Sequence, residues 1–374
     1  MHISERTTIA RMKTWSFLFF VLWASTATAQ HDSTGLWQAQ PFDHLQLWLI
    51  NADDNFSHPY LTLEQALEEG RAIIHNENSQ TLWIENRSDT DLFVEAGDLI
   101  KGGQQDRMIA DDRILPRQDS AHDLNVYCIE SGRSTQRGSE PLATFSASHW
   151  MAPMAHTRLV IRHDLTEQLL TPQMGGLTAP DSSELELLNS LGNLPQPILY
   201  PSAAQEAVWN DVVTVQSALT KHLKDSVTKN ASPTSLELSL ESSAVADREH
   251  SFQHHFEALA KDHPHSVGIA YAIDGKLVGA EIYGTHALFA AMWLKLLRSI
   301  SAAVIASPEL PHNTNTVSEQ QVEEFLNAQG TVTAQQIINA RTRVEAAKTS
   351  FATRFTTWDT GFSQGPLHTE WIAN

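Results

Sequence analysis

Residues 82–130 read LWIENRSDTDLFVEAGDLIKGGQQDRMIADDRILPRQDSAHDLNVYCIE, and this stretch decides the fold class. Its apolar residues come in short runs: Leu82-Trp83-Ile84, Leu92-Phe93-Val94, Met108-Ile109, Ile114-Leu115 and Leu124 to Ile129. Turn formers part them at Asn86, Ser88-Asp89, Gly97, Gly102-Gly103 and Pro116. Short apolar runs broken by such residues predict β-strands, in a sandwich-like sheet or a partial barrel. Immediately upstream, Thr62 to Glu69 (TLEQALEE) opens with a Thr62…Gln65 capping pair and ends at Gly70, which predicts a short helix.

Downstream, Val208, Val212, Val215, Leu219 and Leu223 keep helical steps and form one core face. Residues 266–283 predict a hairpin whose two-residue turn is Asp274-Gly275. The run 286–306 (HALFAAMWLKLLRSISAAVIA) is apolar on nearly every side and predicts a buried helix. In the tail, Ser318…Gln321 and Thr333…Gln336 read as capping boxes that start two helices, and a last strand is expected near Leu367 to Ile372. Residues 171–204, rich in Pro and Gly, read as a linker or surface insertion with a short helix at Glu184 to Leu191. The expected fold class is α+β. A sheet subdomain packs against the C-terminal hairpin and buried helix within residues 30–306, and residues 307–374 follow as a helical extension.

The N-terminus supplies an address. Lys13 precedes the apolar run Trp15 to Ala24, and Ala27-Thr28-Ala29 is an A-x-A cleavage pattern, so residues 1–29 read as an export signal cut after Ala29. About ten apolar residues fall well short of the roughly 20 that span a bilayer. No later stretch is read as a membrane span, and the mature chain is expected in a bacterial periplasm or outside the cell. The chain carries a formal net charge of −19, and no run of lysines or arginines offsets it. Such a charge repels phosphate backbones, which argues against a nucleic-acid partner. A single cysteine, Cys128, excludes an intramolecular disulfide.

At residues 61–133 and again at 208–299 the chain resembles a bacterial family named for its association with ADP-ribosylglycohydrolases and rhodanese-phosphatases, a domain of unknown biochemical function. The resemblance rests on Glu85-Asn86, Asp89, Gly97-Asp98, Gly102-Gly103, Gln105-Asp106-Arg107, Cys128, Glu130, Gly132-Arg133, Val208-Trp209 and Leu288-Phe289 through Ser299. It covers roughly residues 40–306. Two positions depart from the family pattern: Ser131 and Ser134 replace a glutamine and a tryptophan beside the glycine-arginine pair. The family name implies a neighbourhood of ADP-ribose chemistry and no particular activity.

The segment 97–107 gathers carboxylates, cations and amides around a glycine pair. Lys101 and Arg107 could bind an anion, Asp98 or Asp106 could accept from sugar hydroxyls, and Gly102 and Gly103 would let backbone approach a ligand. The same residues also suit a tight turn whose charges bridge one another. By strand parity Glu130 shares a face with Leu124, Val126 and Cys128, so it needs a partner, for which Arg107 and Arg133 are candidates. The pair reads either as structural or as a site carboxylate poised for acid/base work. The candidate ligand-binding set is therefore Asp98, Lys101, Gly102, Gly103, Gln105, Asp106, Arg107, Glu130 and Arg133, with Asp98, Asp106 and Glu130 as candidate acids or bases.

Cys128 reads as a small core residue, because no base or helix N-terminus is fixed near it. His250, His254, His255, His263 and His265 lack the carboxylate or cysteine neighbours of a metal motif, and neither metal nor cofactor is expected. Three functions remain open. The chain is a module for an anionic or sugar-containing small molecule or another interaction, a hydrolase of a phosphorylated or glycosidic (ADP-ribose-like) substrate, or a structural module of the envelope.

Overall fold

A computed structural model describes residues 35–76, 82–170, 202–307 and 316–374, with side chains in 164–170 left aside. The expected signal at 1–29, and the linker at 171–204 apart from its last three residues, lie outside the described residues. The N-terminal half runs β1 (Gly35–Gln38), β2 (Leu45–Asn51), β3 (Tyr60–Thr62), α1 (Leu63–Glu68), β4 (Ala72–Asn76), β5 (Leu82–Asn86), β6 (Asp91–Val94) and β7 (Asp98–Gly102). It continues with β8 (Arg107–Ile109), β9 (Arg113–Leu115), β10 (Asp119–Leu124), β11 (Val126–Cys128), β12 (Phe145–Met151) and α2 (Ala155–Leu170). After the linker come α3 (Ala203–Leu223), α4 (Leu236–Leu240), α5 (Ser243–Phe256), α6 (Leu259–Asp262), β13 (Ser266–Ile273), β14 (Lys276–Tyr283) and α7 (His286–Ala306). The tail is α8 (Glu319–Asn327), β15 (Thr331–Ile337), β16 (Thr342–Lys348), β17 (Ala352–Asp359) and β18 (His368–Ala373). The fold is α+β.

Local signals explain several elements. Thr62 and Gln65 close a reciprocal capping box on α1, and at its other end Gly70 takes φ +66° while Arg71 N–H donates to Ala66 C=O at 2.8 Å. The β13–β14 turn places both Asp274 (φ 52°) and Gly275 (φ 71°) in the left-handed region, as a two-residue hairpin turn demands.

The strands of 82–128 join β3, β4 and β12 in three small sheets, ordered β10-β5-β4, β11-β8-β7-β12 and β3-β6-β9, with no closed barrel. None of them joins the hairpin directly. The hairpin instead lies in an eight-stranded antiparallel sheet, β1-β2-β13-β14-β18-β17-β16-β15. Period-2 alternation lets one strand serve two cores. Ile269, Tyr271 and Ile273 of β13 join Phe93, Leu99, Met108 and the α7 residues Leu288, Phe289, Trp293 and Leu296 in the main core. Ala270 and Ala272 face the other way, toward Val322 and Phe325 of α8. The small sheets thus pack across from the hairpin, with α7 between them. Helix α7 is the one described helix long and apolar enough to cross a membrane, and here it lies within the core.

The tail corrects the sequence reading. Ser318 and Gln321 do cap α8, but Thr333 belongs to β15, where its hydroxyl donates to Ala346 C=O at 3.2 Å. The Thr333…Gln336 spacing matches a capping box, yet no helical apolar stripe follows it, and the β-branched run Thr331-Val332-Thr333 favours an extended chain. The extension is therefore mostly sheet. It is also tied to the N-terminal half: Arg341 pairs with Asp91 at 2.9 Å and with Asp359, whose Oδ2 accepts from Tyr60 O–H at 2.8 Å.

Candidate functional site

The segment singled out in the sequence folds into the interior. Asp106 follows β7 and its glycines, and Glu130 follows β11; both carboxylates are fully buried. Arg137 reaches Asp106 with Nη1 to Oδ2 at 2.8 Å and Nη2 to Oδ1 at 3.0 Å, and its Nη1 lies 3.2 Å from Glu130 Oε1. Arg133 Nε pairs with Glu130 Oε1 at 2.7 Å, and its Nη2 lies 3.6 Å from Asp106. Ser235, the N-cap of α4, donates to Asp106 at 2.9 Å, and the backbone N–H of Asp106 donates to Glu130 at 3.0 Å. Arg137 also binds Glu140 with Nη2 to Oε2 at 3.1 Å, so three carboxylates meet two guanidiniums, and the third, Glu140, reaches the surface.

Burial opposes ionisation of both acids. At Glu130, Arg133, Ser232 and the Asp106 N–H overcome it and hold the carboxyl below its ordinary value, while at Asp106 burial wins and raises it.

The expected pairing is half right. Arg133 holds Glu130, but Arg107 does not: its Nη1 donates to Gln105 C=O at 2.9 Å and to the Gln105 side chain at 3.2 Å. Arg137, which the sequence reading missed, takes that place. Its one signal is position, one short step past Arg133 in the loop that Glu130 opens.

The glycine pair serves backbone packing. A Cβ on Gly102 (φ +133°) would lie 2.8 Å from Thr144 C=O of the adjoining chain, and one on Gly103 (φ +57°) would lie 2.5 Å from the Phe145 ring. Lys101 turns to carboxylates, with Nζ 2.5 Å from Glu241 Oε1. Asp98 lies apart from the cluster, buried and paired with Lys295 of α7 at 2.5 Å. Of the nine expected residues the fold brings Asp106, Glu130 and Arg133 together, sets Gly102, Gly103, Gln105 and Arg107 beside them, leaves Lys101 at the rim, 3.9 Å from the Glu140 that Arg137 binds, and sends Asp98 elsewhere.

Cys128 is half-buried rather than a core residue; burial raises its thiol, and Gln205 clasps its backbone at 2.9 and 2.8 Å. The five histidines form no ligand set among the described residues. His255 stacks on Phe42, and His263 packs against Trp37.

A second buried charge network was not anticipated. It joins Glu95 and Asp112 of the N-terminal half, Arg158 and Arg162 of α2, Glu281 of β14, and His368 and Glu370 of β18. Arg158 reaches Glu281 at 2.6 Å and Glu370 at 2.8 Å; Arg162 reaches Asp112 at 2.9 Å and Glu370 at 2.8 Å. His368 Nδ1 lies 2.9 Å from Asp112, and its Nε2 lies 3.0 Å from Glu281 and 3.7 Å from Glu95. Tyr283 O–H donates to Glu95 Oε2 at 2.9 Å. Burial raises the Glu95 carboxyl strongly. Burial also works against a charged His368, but Glu95 and Asp112 outweigh it and raise that ring. The overlooked signal is a charge at an inward strand position, such as Glu281 between Ala280 and Ile282.

One open cleft has a different character. It measures about 420 Å³ and lies where the C-terminal end of α3 meets the end of α7. Lys221, His222, Lys224, Arg248 and His44 line it, against one carboxylate, Asp43. Arg248 pairs with Asp43, while Lys221 and Lys224 have no carboxylate partner among the described residues.

Compared with family models, residues 35–365 match the ARG and Rhodanese-Phosphatase-superfamily-associated Protein domain. The chain belongs to this family. Membership in the ARG- and rhodanese-phosphatase-associated family carries no assigned activity, and no curated protein or solved structure matched the chain. The match runs past residue 306 into the tail, in keeping with the shared sheet. Within this domain the motif residues Asp98, Lys295 and Ser299 have packing tasks: Lys295 neutralises Asp98, and Ser299 Oγ accepts from Met151 N–H at 2.8 Å.

Proposed function

We propose that this chain is an exported binding module that takes a small anionic ligand in the cleft between α3 and α7. The observation that carries the reading is the sign of the charge there. In a chain of net charge −19, two lysines without carboxylate partners among the described residues stand beside the Arg248–Asp43 pair and two histidines around an open space of about 420 Å³. That volume is within the usual range for small-molecule sites. Concentrated positive charge raises the local concentration of an anion and orients it.

The charges of the 97–137 region argue for a different role. Asp106, Glu130, Arg133 and Arg137 satisfy one another out of solvent, and Lys101 is held by Glu241. Export rests on the charged segment, apolar run and A-x-A pattern of residues 1–29. The family's association with ADP-ribosylglycohydrolases makes ADP-ribose and sugar phosphates the first ligands to try.

A thermal-shift series tests the reading, with ADP-ribose, ribose 5-phosphate and inorganic phosphate against neutral ribose. A ligand at a hundredfold excess over Kd stabilises a fold by about 2.7 kcal/mol, a readily measured shift. The anions should raise Tm and ribose should not. No shift with any anion at millimolar concentration sinks the proposal.

A further inference from the structure

We infer that Glu95, Glu281 and His368 form a binding site for one divalent transition-metal ion such as Zn²⁺ or Mn²⁺, independent of the cleft. One atom from each, Glu95 Oε1, Glu281 Oε2 and His368 Nε2, lies within 4.8 Å of the other two. All three residues are buried. A single imidazole with two carboxylates is a borderline nitrogen and oxygen set, suited to first-row divalent ions more than to the all-oxygen sites of calcium or magnesium.

Each donor is already aimed. Asp112, a carboxylate, accepts from His368 Nδ1–H at 2.9 Å, so an ion that displaced the Nε2 proton would meet a lone pair facing Glu281 and Glu95. This carboxylate–histidine relay is the usual support of a metal-bound imidazole. Arg158 fixes Glu281 through Oε1 and leaves Oε2 toward His368. Tyr283 likewise holds Glu95 through Oε2. The other oxygen, Glu95 Oε1, is buried and has no hydrogen-bond donor among the described residues. A buried acceptor left without a donor is uncommon in folded proteins. It lies 3.7 Å from His368 Nε2, too far for a hydrogen bond.

Formal charge leads to the same conclusion from a separate direction. Four carboxylates, Glu95, Asp112, Glu281 and Glu370, face two guanidiniums, Arg158 and Arg162. With His368 neutral, as a ligand must be, the network is two charges short of neutrality. One divalent ion supplies both. The competing arrangement holds two protons in the ion's place.

The test uses the full chain, folded in cells supplemented with Zn²⁺ or Mn²⁺ so that the interior loads during folding. Elemental analysis after gel filtration in metal-free buffer should find close to one equivalent of ion per chain. Glu95→Gln keeps the shape and the Tyr283 hydrogen bond but removes a charged donor, and it should retain less than a tenth of that metal while its far-UV spectrum is unchanged. Anomalous scattering from crystals of the Mn²⁺-loaded wild type should place the ion among the three donor atoms, a readout independent of any variant. Metal-free wild type after both supplements, full retention by a folded Glu95→Gln, or an ion located elsewhere each overturns the assignment.

Discussion

Arg137 and Asp106 form a two-pronged ion pair, at 2.8 and 3.0 Å, wholly inside the protein. Removing one partner of such a pair leaves an uncompensated buried charge, a loss on the order of 3–5 kcal/mol, whereas replacing both with apolar groups is far milder. Arg137→Met should therefore lower unfolding free energy by about that amount in urea titrations. The double variant Asp106→Leu/Arg137→Met should recover more than half of the loss, because Arg133 still neutralises Glu130, and Glu140, which also loses Arg137, reaches solvent. Losses that simply add would contradict the pairing.

The glycine pair predicts a steric asymmetry. At Gly102 an alanine methyl would meet backbone, Thr144 C=O, which cannot swing aside; at Gly103 it would meet the tip of the Phe145 ring. Both positions have positive φ: at Gly103 (φ +57°) this alone costs an alanine about 1–2 kcal/mol, and Gly102 (φ +133°) lies outside the left-handed region that L residues can reach. Gly102→Ala should thus be the more destabilising substitution by thermal melt. Equal, small shifts in the two variants would show that β7 and β12 can move apart.

Glu237 sets a pH dependence. Burial pushes its carboxyl up to about 8, despite the hydroxyl of Ser148 2.8 Å away, and an unfolded glutamate titrates near its ordinary value of 4.5. Between these values the folded state holds a proton that the unfolded state releases, so stability is full below about pH 4.5 and falls as pH rises toward about 8. Glu249, pushed by burial to about 7, adds to the lower part of the same window. Melts of Glu237→Gln should show a shallower decline between pH 5 and 8 than the wild type. An unchanged slope would mean that Glu237 is not the titrating group.

The tail predicts a failure of truncation. Strand β18 pairs with β14 from Gly279↔Ile372 to Tyr283↔His368, and Arg341 bridges to Asp91. A chain ending at residue 306 loses those partners and leaves an edge of β14 uncovered. It should lack a cooperative melt. A sharp transition at the full-length temperature would make residues 307–374 a true appendage.

What could be read from sequence was whatever has a local cause. The α1 capping box, the Asp274-Gly275 turn and the apolar α7 each depend on neighbours within one element, and each is present. Arg133 meets the need of Glu130 for an arginine, but strand parity misplaced the face: Tyr127 and Ile129 enter the main core, Val126 and Cys128 are half-buried, and β11 ends before Glu130. The rest required the fold. Which arginine reaches Asp106, and that Glu95, Glu281 and His368 converge, depends on strands far apart in sequence becoming neighbours. In the tail, a four-residue capping pattern around Thr333 was outweighed by pairing with β16, an interaction invisible to any short window.

On the proposed function, ligand binding belongs to the α3–α7 cleft, and the buried 106–137 charges hold the fold. Calorimetric titration of ADP-ribose into two variants separates these roles most directly. Lys221→Ala/Lys224→Ala should abolish the binding heat with Tm unchanged, and Asp106→Leu/Arg137→Met should bind as the wild type does once folded. Binding retained by the lysine variant and lost by the folded buried-pair variant would contradict the account.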